Sequence, residues 1–236
     1  MKNMPGLLLR VAVFACVFMV WMWVLGSEFA GIANLVIIFG AVILIFPIVW
    51  VGRLLLDRDP TPASAAWLTT FIHALMMILF GVAIIQAVRT YPNWDVWQIP
   101  VPRPAGLFLV IITGAAAFLA VVNLALRGLG APFAIALSRQ LAIDWLYAWT
   151  RNPMVLASLA LLLALGIYFQ SVLFVIWAFA LVTPALLMFV KVFEERELEI
   201  RFGEGYREYK ARTPMLIPRR PQAATKPAAS TKRSNK

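Results

Sequence analysis

The sequence predicts an all-α polytopic membrane protein with about six transmembrane helices, a cytoplasmic C-terminal amphipathic helix and a disordered basic tail. Of the 236 residues, 62% are hydrophobic and only 14% are charged, which is too apolar a composition for a soluble domain of this size to bury. Stretches of about 20 apolar residues, enough to cross about 30 Å of hydrocarbon as a helix, recur along the chain. The sequence has no alternating ten-residue barrel pattern, so the spans are predicted to be helices.

Six apolar stretches are the predicted spans. They cover residues 7–25, 30–52, 65–88, 105–126, 154–168 and 171–192. The fifth stretch is short, and we expect it to pair with the sixth as a tight hairpin around Phe169 and Gln170. We therefore divide the chain into scaffold helices over 1–126, with about four spans, a core over 127–219 and a disordered basic tail over 220–236.

The basic residues predict how these spans are oriented. If the N-terminus is cytoplasmic, 19 of the 21 Lys and Arg residues lie inside, all but Arg89 and Arg103. This bias follows the positive-inside rule, so we expect a multi-pass protein of a bacterial inner membrane with a cytoplasmic C-terminus. In an alternative topology residues 1–26 are a cleaved signal peptide, but the bulky Trp21-Met22-Trp23 lies close to that cut.

The net charge of +10 does not indicate nucleic-acid binding, because the basic residues are spread over loops rather than gathered on one domain. The expected partner is the lipid bilayer, and the oligomeric state is unknown. Cys16 is the only cysteine and His73 the only histidine, so neither a disulfide framework nor a metal site is expected. We predict that His73 is a neutral imidazole bonded to a neighbouring helix, near Gln86 or Asn123, and lies outside the site.

The connection from Arg127 to Thr150 is predicted to lie in the membrane interface, with Trp145, Tyr147 and Trp149 at headgroup level. Its Gly128-x-Gly130 is not a dinucleotide fingerprint. It follows a membrane helix rather than a strand, lacks the third glycine and runs into proline. A soluble Rossmann methyltransferase or dehydrogenase is therefore excluded.

Arg151, Asn152 and Pro153 open the predicted hairpin. Asn152 is a good N-cap residue and Pro153 suits the first helical turn. Arg151 stands beside a helix N-terminus, where the helix dipole, the free N–H groups and the guanidinium together favour an anion. The alternative is that Arg151 extends to lipid phosphate.

Six of the eleven carboxylates lie between Glu194 and Glu208, just after the last span. Glu197 and Arg201 are an i, i+4 pair in the favourable order, as expected of a solvated amphipathic helix. That explanation does not account for Glu194 and Glu195, which are adjacent at the membrane edge and repel each other unless a cationic or donor-rich partner faces them. A ligand with amino and ribose hydroxyl groups meets this requirement.

Four motifs in order carry a family resemblance. They are Gly130-Ala131-Pro132-Phe133, Leu146 to Met154, Glu194-Glu195-x-x-Leu198-x-x-x-Phe202-Gly203-x-x-Tyr206-x-x-Tyr209 and Ile217-Pro218-Arg219. This stretch resembles the integral-membrane methyltransferases of the isoprenylcysteine carboxyl methyltransferase and phospholipid methyltransferase superfamily. The resemblance implies S-adenosylmethionine bound at the cytoplasmic face and a lipophilic or prenylated acceptor that enters from the bilayer.

The resemblance also implies roles for single residues. Glu194 and Glu195 would hold the amino and hydroxyl groups of the cofactor, and Arg201 would orient the acceptor. The cofactor-binding residues implied are Arg151, Asn152, Pro153, Met154, Glu194 and Glu195, and the catalytic ones are Arg201 and Glu195. Tyr206 and Tyr209 are expected to pack the tail beneath the site. The chain departs from the family pattern at Val155, where relatives have Tyr, and at Ala157, where they have Gly.

Several functions stay open at this point. A general base is not evident in the sequence, which favours O-methylation of an isoprenylcysteine-type carboxylate that is already ionised. The alternatives are a phospholipid-type N-methyltransferase and, given Val155 and Ala157, a catalytically silent scaffold of the same fold. A small transporter ranks lowest, because the sequence lacks the broken, charged helices of such proteins.

Overall fold

The computed structural model describes residues 4–90, 96–127 and 141–221, and within these ranges the chain forms helices and no β-strand. Eight helices follow in order: α1 Met4–Gly26, α2 Gly31–Arg58, α3 Pro62–Thr90, α4 Arg103–Arg127, α5 Leu146–Trp149, α6 Pro153–Tyr168, α7 Val172–Phe202 and α8 Glu204–Arg212. The Gly130 to Phe133 motif and the tail from residue 222 lie outside the described residues.

Five of these helices, α1 to α4 and α7, are long and apolar enough to cross a membrane. Helix α6 has 16 residues and is about 24 Å long, which is short of a full span. The all-α multi-pass prediction is confirmed, and the count of six stays a prediction for α6. The residues on either side of α6 attach it at both ends, because Asn152 donates to the C-terminal segment and Gln170 bonds to the segment that precedes α4.

The turn after α6 is fastened at one end of the bundle. Ile99 N donates to Gln170 O at 2.9 Å, and Val172 N donates to Trp97 O at 3.1 Å. The predicted hairpin around Phe169 and Gln170 is therefore confirmed. Gln170 itself has a positive φ of 57°, which allows the chain to reverse tightly.

The main core lies between α2, α3, α6 and α7. Its fully buried side chains include Ile45, Val49, Phe174 and Phe193. Helix α4 packs chiefly along α6, and a Cβ at Gly106 would meet the backbone of Tyr168. The close approach of these two helices therefore requires glycine at position 106.

Large apolar side chains on α1 and α4 are exposed rather than packed. Phe108, Ile111 and Phe118 of α4 are each more than 60% exposed. In water such an exposed apolar surface would promote aggregation. In a bilayer it is the lipid-facing side of the helix.

Helix α7 contains two π-helical turns, Ala178–Val182 and Phe189–Glu194. Pro184 explains the first one, because proline has no N–H and its ring clashes with the carbonyl four residues earlier. The Thr183 hydroxyl donates to the carbonyl of Ala178 at 2.9 Å. The second turn ends at Glu194, directly before Glu195.

The opposite end of the bundle from Gln170 carries an ionic connection between α2 and α7. Asp57 accepts hydrogen bonds from Arg53 at 2.6 Å and from Arg196 at 2.7 Å. Arg53 also donates to the carbonyl of Val192 at 3.3 Å. The charged part of α7 is thus attached to the end of α2.

Candidate active site

A cavity of about 380 Å³ lies between α3, α6, α7 and α8, with Trp21 of α1 closing one side. Charged and polar side chains line one end of it, chiefly from α6 and α7. Apolar side chains line the remainder, among them Met76, Met77, Phe80 and Leu162. A cavity of this size falls within the range of about 300–1,000 Å³ of small-molecule sites.

The start of α6 is tied to the C-terminal segment. Arg151 N donates to Pro214 O at 2.9 Å, and the carbonyl of Met215 accepts from the Thr150 hydroxyl at 3.1 Å and from Asn152 Nδ2 at 2.9 Å. Asn152 is the N-cap residue of α6, as predicted, but its side chain makes no capping hydrogen bond to the helix, and its amide donates to Met215 instead. Pro153 stands in the first turn, as predicted.

Arg151 lines the cavity and points its guanidinium toward Glu195. Its Nη1 lies 2.8 Å from Glu195 Oε1, and the two side chains are only 7% and 4% exposed. Arg151 Nε is buried and has no hydrogen-bond partner among the described residues. Arg151 therefore turns inward to the cavity instead of extending to lipid phosphate.

Glu195 lies in an ionic network rather than on the cavity wall. Besides Arg151, it pairs with Lys210 of α8 at 2.8 Å and with Lys191 at 3.5 Å. Burial lowers the pKa of Lys210, but its hydrogen bonds to Glu195 and Glu199 outweigh burial and leave that pKa above its usual range. The cationic groups that face Glu195 therefore belong to the protein itself and not to a ligand, as the sequence had suggested.

Glu194 lies on the cavity wall. No ion pair or hydrogen bond joins its carboxylate to the parts of the chain that the structure describes. The two adjacent carboxylates diverge because neighbouring residues on a helix point about 100° apart. Of the predicted pair, only Glu194 is placed to meet a ligand in the cavity directly.

Glu197 and Arg201 form a buried ion pair at the cavity. Arg201 Nη1 lies 2.7 Å from Glu197 Oε1, and the side chains are 13% and 3% exposed. The predicted i, i+4 pair is confirmed, but the expectation that it lies on a solvated face is wrong. The apolar surface of α3 covers this side of α7 and removes it from water.

Three tyrosines close the polar end of the cavity. Tyr147, Tyr206 and Tyr209 line it and are nearly fully buried. Tyr209 donates to Tyr147 O at 2.7 Å, and Arg151 Nη1 donates to the Tyr206 hydroxyl at 3.4 Å. Burial raises the pKa of each tyrosine, so all three stay neutral and act as hydrogen-bonding walls.

The structure therefore corrects two expectations about aromatic residues. Tyr147 is buried at the cavity instead of lying at headgroup level, whereas Trp145 and Trp149 are exposed as expected. Tyr206 and Tyr209 were expected to pack the tail beneath the site, and the structure places them on the border of the cavity.

His73 of α3 lies on the cavity wall, whereas the sequence placed it outside the site. Its Nδ1 lies 3.0 Å from the carbonyl of Thr69 one turn earlier in the same helix. The expected bond to a neighbouring helix is not found among the described residues. Asn123 instead accepts a hydrogen bond from Leu146 N at 3.2 Å.

The structure brings together most of the predicted site residues. Arg151, Asn152, Met154, Glu194 and Arg201 line the cavity, while Pro153 and Glu195 lie behind it. The sequence missed Trp21, Thr69, His73 and Glu197 as lining residues. A polar residue in the middle of a span is the only signal that could have indicated His73.

In a comparison with known families, the phospholipid methyltransferase family matches residues 103–205 of this chain. The matched stretch holds α4, α5, α6 and all of α7. No curated protein and no solved structure matches the chain. The match supports the superfamily of integral-membrane methyltransferases, and it does not single out an isoprenylcysteine enzyme. Trp21, Thr69, His73, Tyr206 and Tyr209 lie outside the matched residues.

The residues present fit the cofactor of such enzymes. Glu194 offers an unpaired carboxylate to an amino group or to ribose hydroxyls. The buried Nε of Arg151, which lacks a described acceptor, offers a donor to a carboxylate. The first turn of α6 has no side-chain cap, so its N–H groups are open to the same anion.

Proposed function

We propose that this protein transfers a methyl group from S-adenosylmethionine to a lipophilic acceptor held in the membrane. One observation carries the proposal: a single cavity joins a charged end, with Arg151, Glu194 and Arg201, to apolar walls contributed by membrane-spanning helices. Such a cavity can bind a polar cofactor at its charged end and a lipophilic acceptor along its apolar walls. The family match over residues 103–205 supports the same reaction.

The polar end would hold the cofactor. Glu194 would bind the amino and hydroxyl groups of the cofactor. The carboxylate of the cofactor would be bound by the start of α6, that is by Arg151, Asn152, Pro153 and Met154. When bound, S-adenosylmethionine supplies an electrophilic methyl group on a sulfonium centre. Glu195 contributes indirectly, because its ion pair holds the guanidinium of Arg151 in place.

The protein's own contribution to the reaction is positioning in a dry site. Methyl transfer is an in-line displacement that depends on holding the reacting atoms in line and excluding water. Tyr147, Tyr206 and Tyr209 seal the polar end with neutral hydroxyls. Arg201, neutralised by Glu197, would orient the acceptor without adding a net charge.

Two acceptors are candidates. The sequence favours the carboxylate of a prenylated cysteine, because such a group needs no general base. The family match favours the amine of a phospholipid headgroup. We also propose that the protein lies in a bacterial inner membrane and that its C-terminus is in the cytoplasm.

A catalytically silent scaffold is the second candidate function. It rests on Val155, which lines the cavity where relatives have Tyr, and on Ala157, which is buried in α6. The cavity nevertheless stays open beside Val155 and keeps Glu194 on its wall. A catalytically silent scaffold would need neither feature. We therefore favour the enzyme.

The proposal is tested with purified protein in phospholipid nanodiscs. Titration calorimetry measures binding of S-adenosylmethionine and S-adenosylhomocysteine, and a radiolabelled methyl group reports transfer to phosphatidylethanolamine or to a farnesylated cysteine. Binding together with transfer to either acceptor supports the enzyme. The absence of both would overturn it and leave the scaffold.

A further inference from the structure

His73 is a titratable side chain inside the cavity to which the proposed function assigns no role. It lies on α3, far in sequence from the charged residues of α6 and α7, and it shares the cavity wall with Thr69, Glu197 and Arg201. Its ring packs edge to face with Phe189, with centroids 5.0 Å apart. An imidazole at the boundary between the charged and apolar parts of a cavity stands where an acceptor headgroup would lie.

The hydrogen bond of His73 sets which ring nitrogen is available. Thr69 O is a carbonyl and accepts, so Nδ1 at 3.0 Å must carry the proton of a neutral imidazole. Nε2 is then unprotonated. It has no hydrogen bond to any residue within 4–90, 96–127 or 141–221, and its place on the cavity wall leaves it open to a ligand.

We propose that His73 Nε2 is the proton acceptor in methyl transfer to an amine carried by a lipophilic molecule. This inference rests on the proposed function and restricts the methyl acceptor to an amine. Transfer forms an N–C bond and breaks the C–S bond, whose electron pair stays with sulfur. Because the amine headgroup is an ammonium at neutral pH, it first gives one proton to Nε2, which frees the lone pair that forms the N–C bond. The proton passes from Nε2 to water after the product has left the cavity.

The surroundings of His73 agree with an amine rather than a carboxylate. An ionised carboxylate has no proton to lose, so methylation of a carboxylate would not use the unprotonated Nε2 of His73. The two arginines that line the cavity are already paired, Arg201 with Glu197 and Arg151 with Glu195. An amine headgroup is therefore better accommodated than an anionic one.

Two substitutions at one position separate a proton acceptor from a packing residue. His73→Asn keeps an amide donor near the Nδ1 position for Thr69 O and removes Nε2, whereas His73→Gln places an amide near the Nε2 position. General-base catalysis contributes about 10²–10⁴-fold, so we expect both variants to lose about that factor in transfer to phosphatidylethanolamine. Binding of S-adenosylmethionine should be unchanged.

Imidazole rescue gives the second readout. Added imidazole should restore transfer by His73→Ala, which a residue needed only for packing would not allow. Transfer by His73→Asn at the wild-type rate, or a lack of rescue, would overturn the role of His73 while cofactor binding still upholds the proposed function. If the wild type neither binds the cofactor nor transfers a methyl group, both proposals fall.

A measurement on the wild type covers the case in which the variants do not fold. Because the chain has a single histidine, ¹⁵N-histidine labelling gives one pair of ring signals. We expect the neutral tautomer with Nδ1 protonated, and a change of the Nε2 signal when phosphatidylethanolamine is added to protein in a lipid without an amine. A tautomer protonated at Nε2, or a signal that the amine lipid leaves unchanged, would overturn the inference.

Discussion

Arg151 Nη1 and Glu195 Oε1 lie 2.8 Å apart, and this contact joins the start of α6 to the end of α7. The resemblance assigns both residues to the cofactor, yet in this structure they bind each other. Removing one partner of a buried pair leaves the other charge uncompensated, which costs about 3–5 kcal/mol. The pair therefore makes the stability of the bundle and the geometry of the site depend on the same two side chains.

Glu194 and Glu195 should respond differently to the same substitution. Glu195→Gln should lower the free energy of unfolding by up to about 3–5 kcal/mol, because Arg151 loses its counter-charge. Glu194→Gln should leave stability unchanged and weaken S-adenosylmethionine binding by about 1.5–3 kcal/mol, the contribution of a charge-assisted hydrogen bond. Thermal unfolding and titration calorimetry on both variants measure this contrast.

Each variant is the control for the other, since they differ by one position on one helix. If Glu195→Gln lost affinity at full stability while Glu194→Gln bound normally, the roles would be reversed. That result would place Glu195 in direct contact with the cofactor.

Val155→Tyr tests whether the cavity is a working site. Val155 is 9% exposed and lines the cavity, and overfilling a packed site costs about 1–3 kcal/mol. In an active enzyme the variant should bind S-adenosylmethionine more weakly than the wild type. In a scaffold that has lost binding, Val155→Tyr together with Ala157→Gly should instead gain it, as measured by the same titration.

Gly81→Ala should disturb the side of the cavity closed by Trp21. A Cβ at position 81 would overlap the indole ring, whose Nε1 donates to Met77 O at 3.0 Å. We expect the variant to lose about 1–3 kcal/mol of stability through overpacking and to lose methyl transfer more than cofactor binding.

Gly114→Ala is the matched control. A Cβ at Gly114 of α4 would have no atom within 4 Å, and alanine is favoured over glycine in a helix by about 0.5–1 kcal/mol. It should therefore be neutral or stabilising in a thermal unfolding assay. Equal losses at both positions would show that the contact with Trp21 is unimportant.

The orientation in the membrane is tested with topology reporters. Because all basic residues but Arg89 and Arg103 are predicted inside, a reporter fused after Arg219 should be cytoplasmic. A reporter inserted at Asn93 should lie on the other side. The reverse pattern would contradict the predicted topology.

Hydropathy located the membrane helices well but misjudged where they end. The last span was predicted over 171–192, whereas α7 continues to Phe202. Charged residues end an apolar stretch in the sequence without ending a helix, because ion pairs such as Glu197–Arg201 let them stay helical and buried. For the same reason α2 reaches Arg58, past its predicted end at residue 52.

The site was predicted in part, for a physical reason. Arg151, Glu194 and Arg201 belong to local motifs whose residue types and spacing indicate ligand binding. His73 reaches the cavity only because α3 packs beside α7, and a single sequence does not show which helices are neighbours.

The carbonyl of Met215 accepts from both Thr150 and Asn152. A ribosome makes residue 215 only after it has made every membrane helix described above. During synthesis, then, the bundle can insert and pack while the first turn of α6 still lacks its final anchor. Membrane insertion and completion of the site are consequently separate events in time, and a nascent chain arrested before Pro214 would be embedded in the bilayer with the start of α6 unsecured.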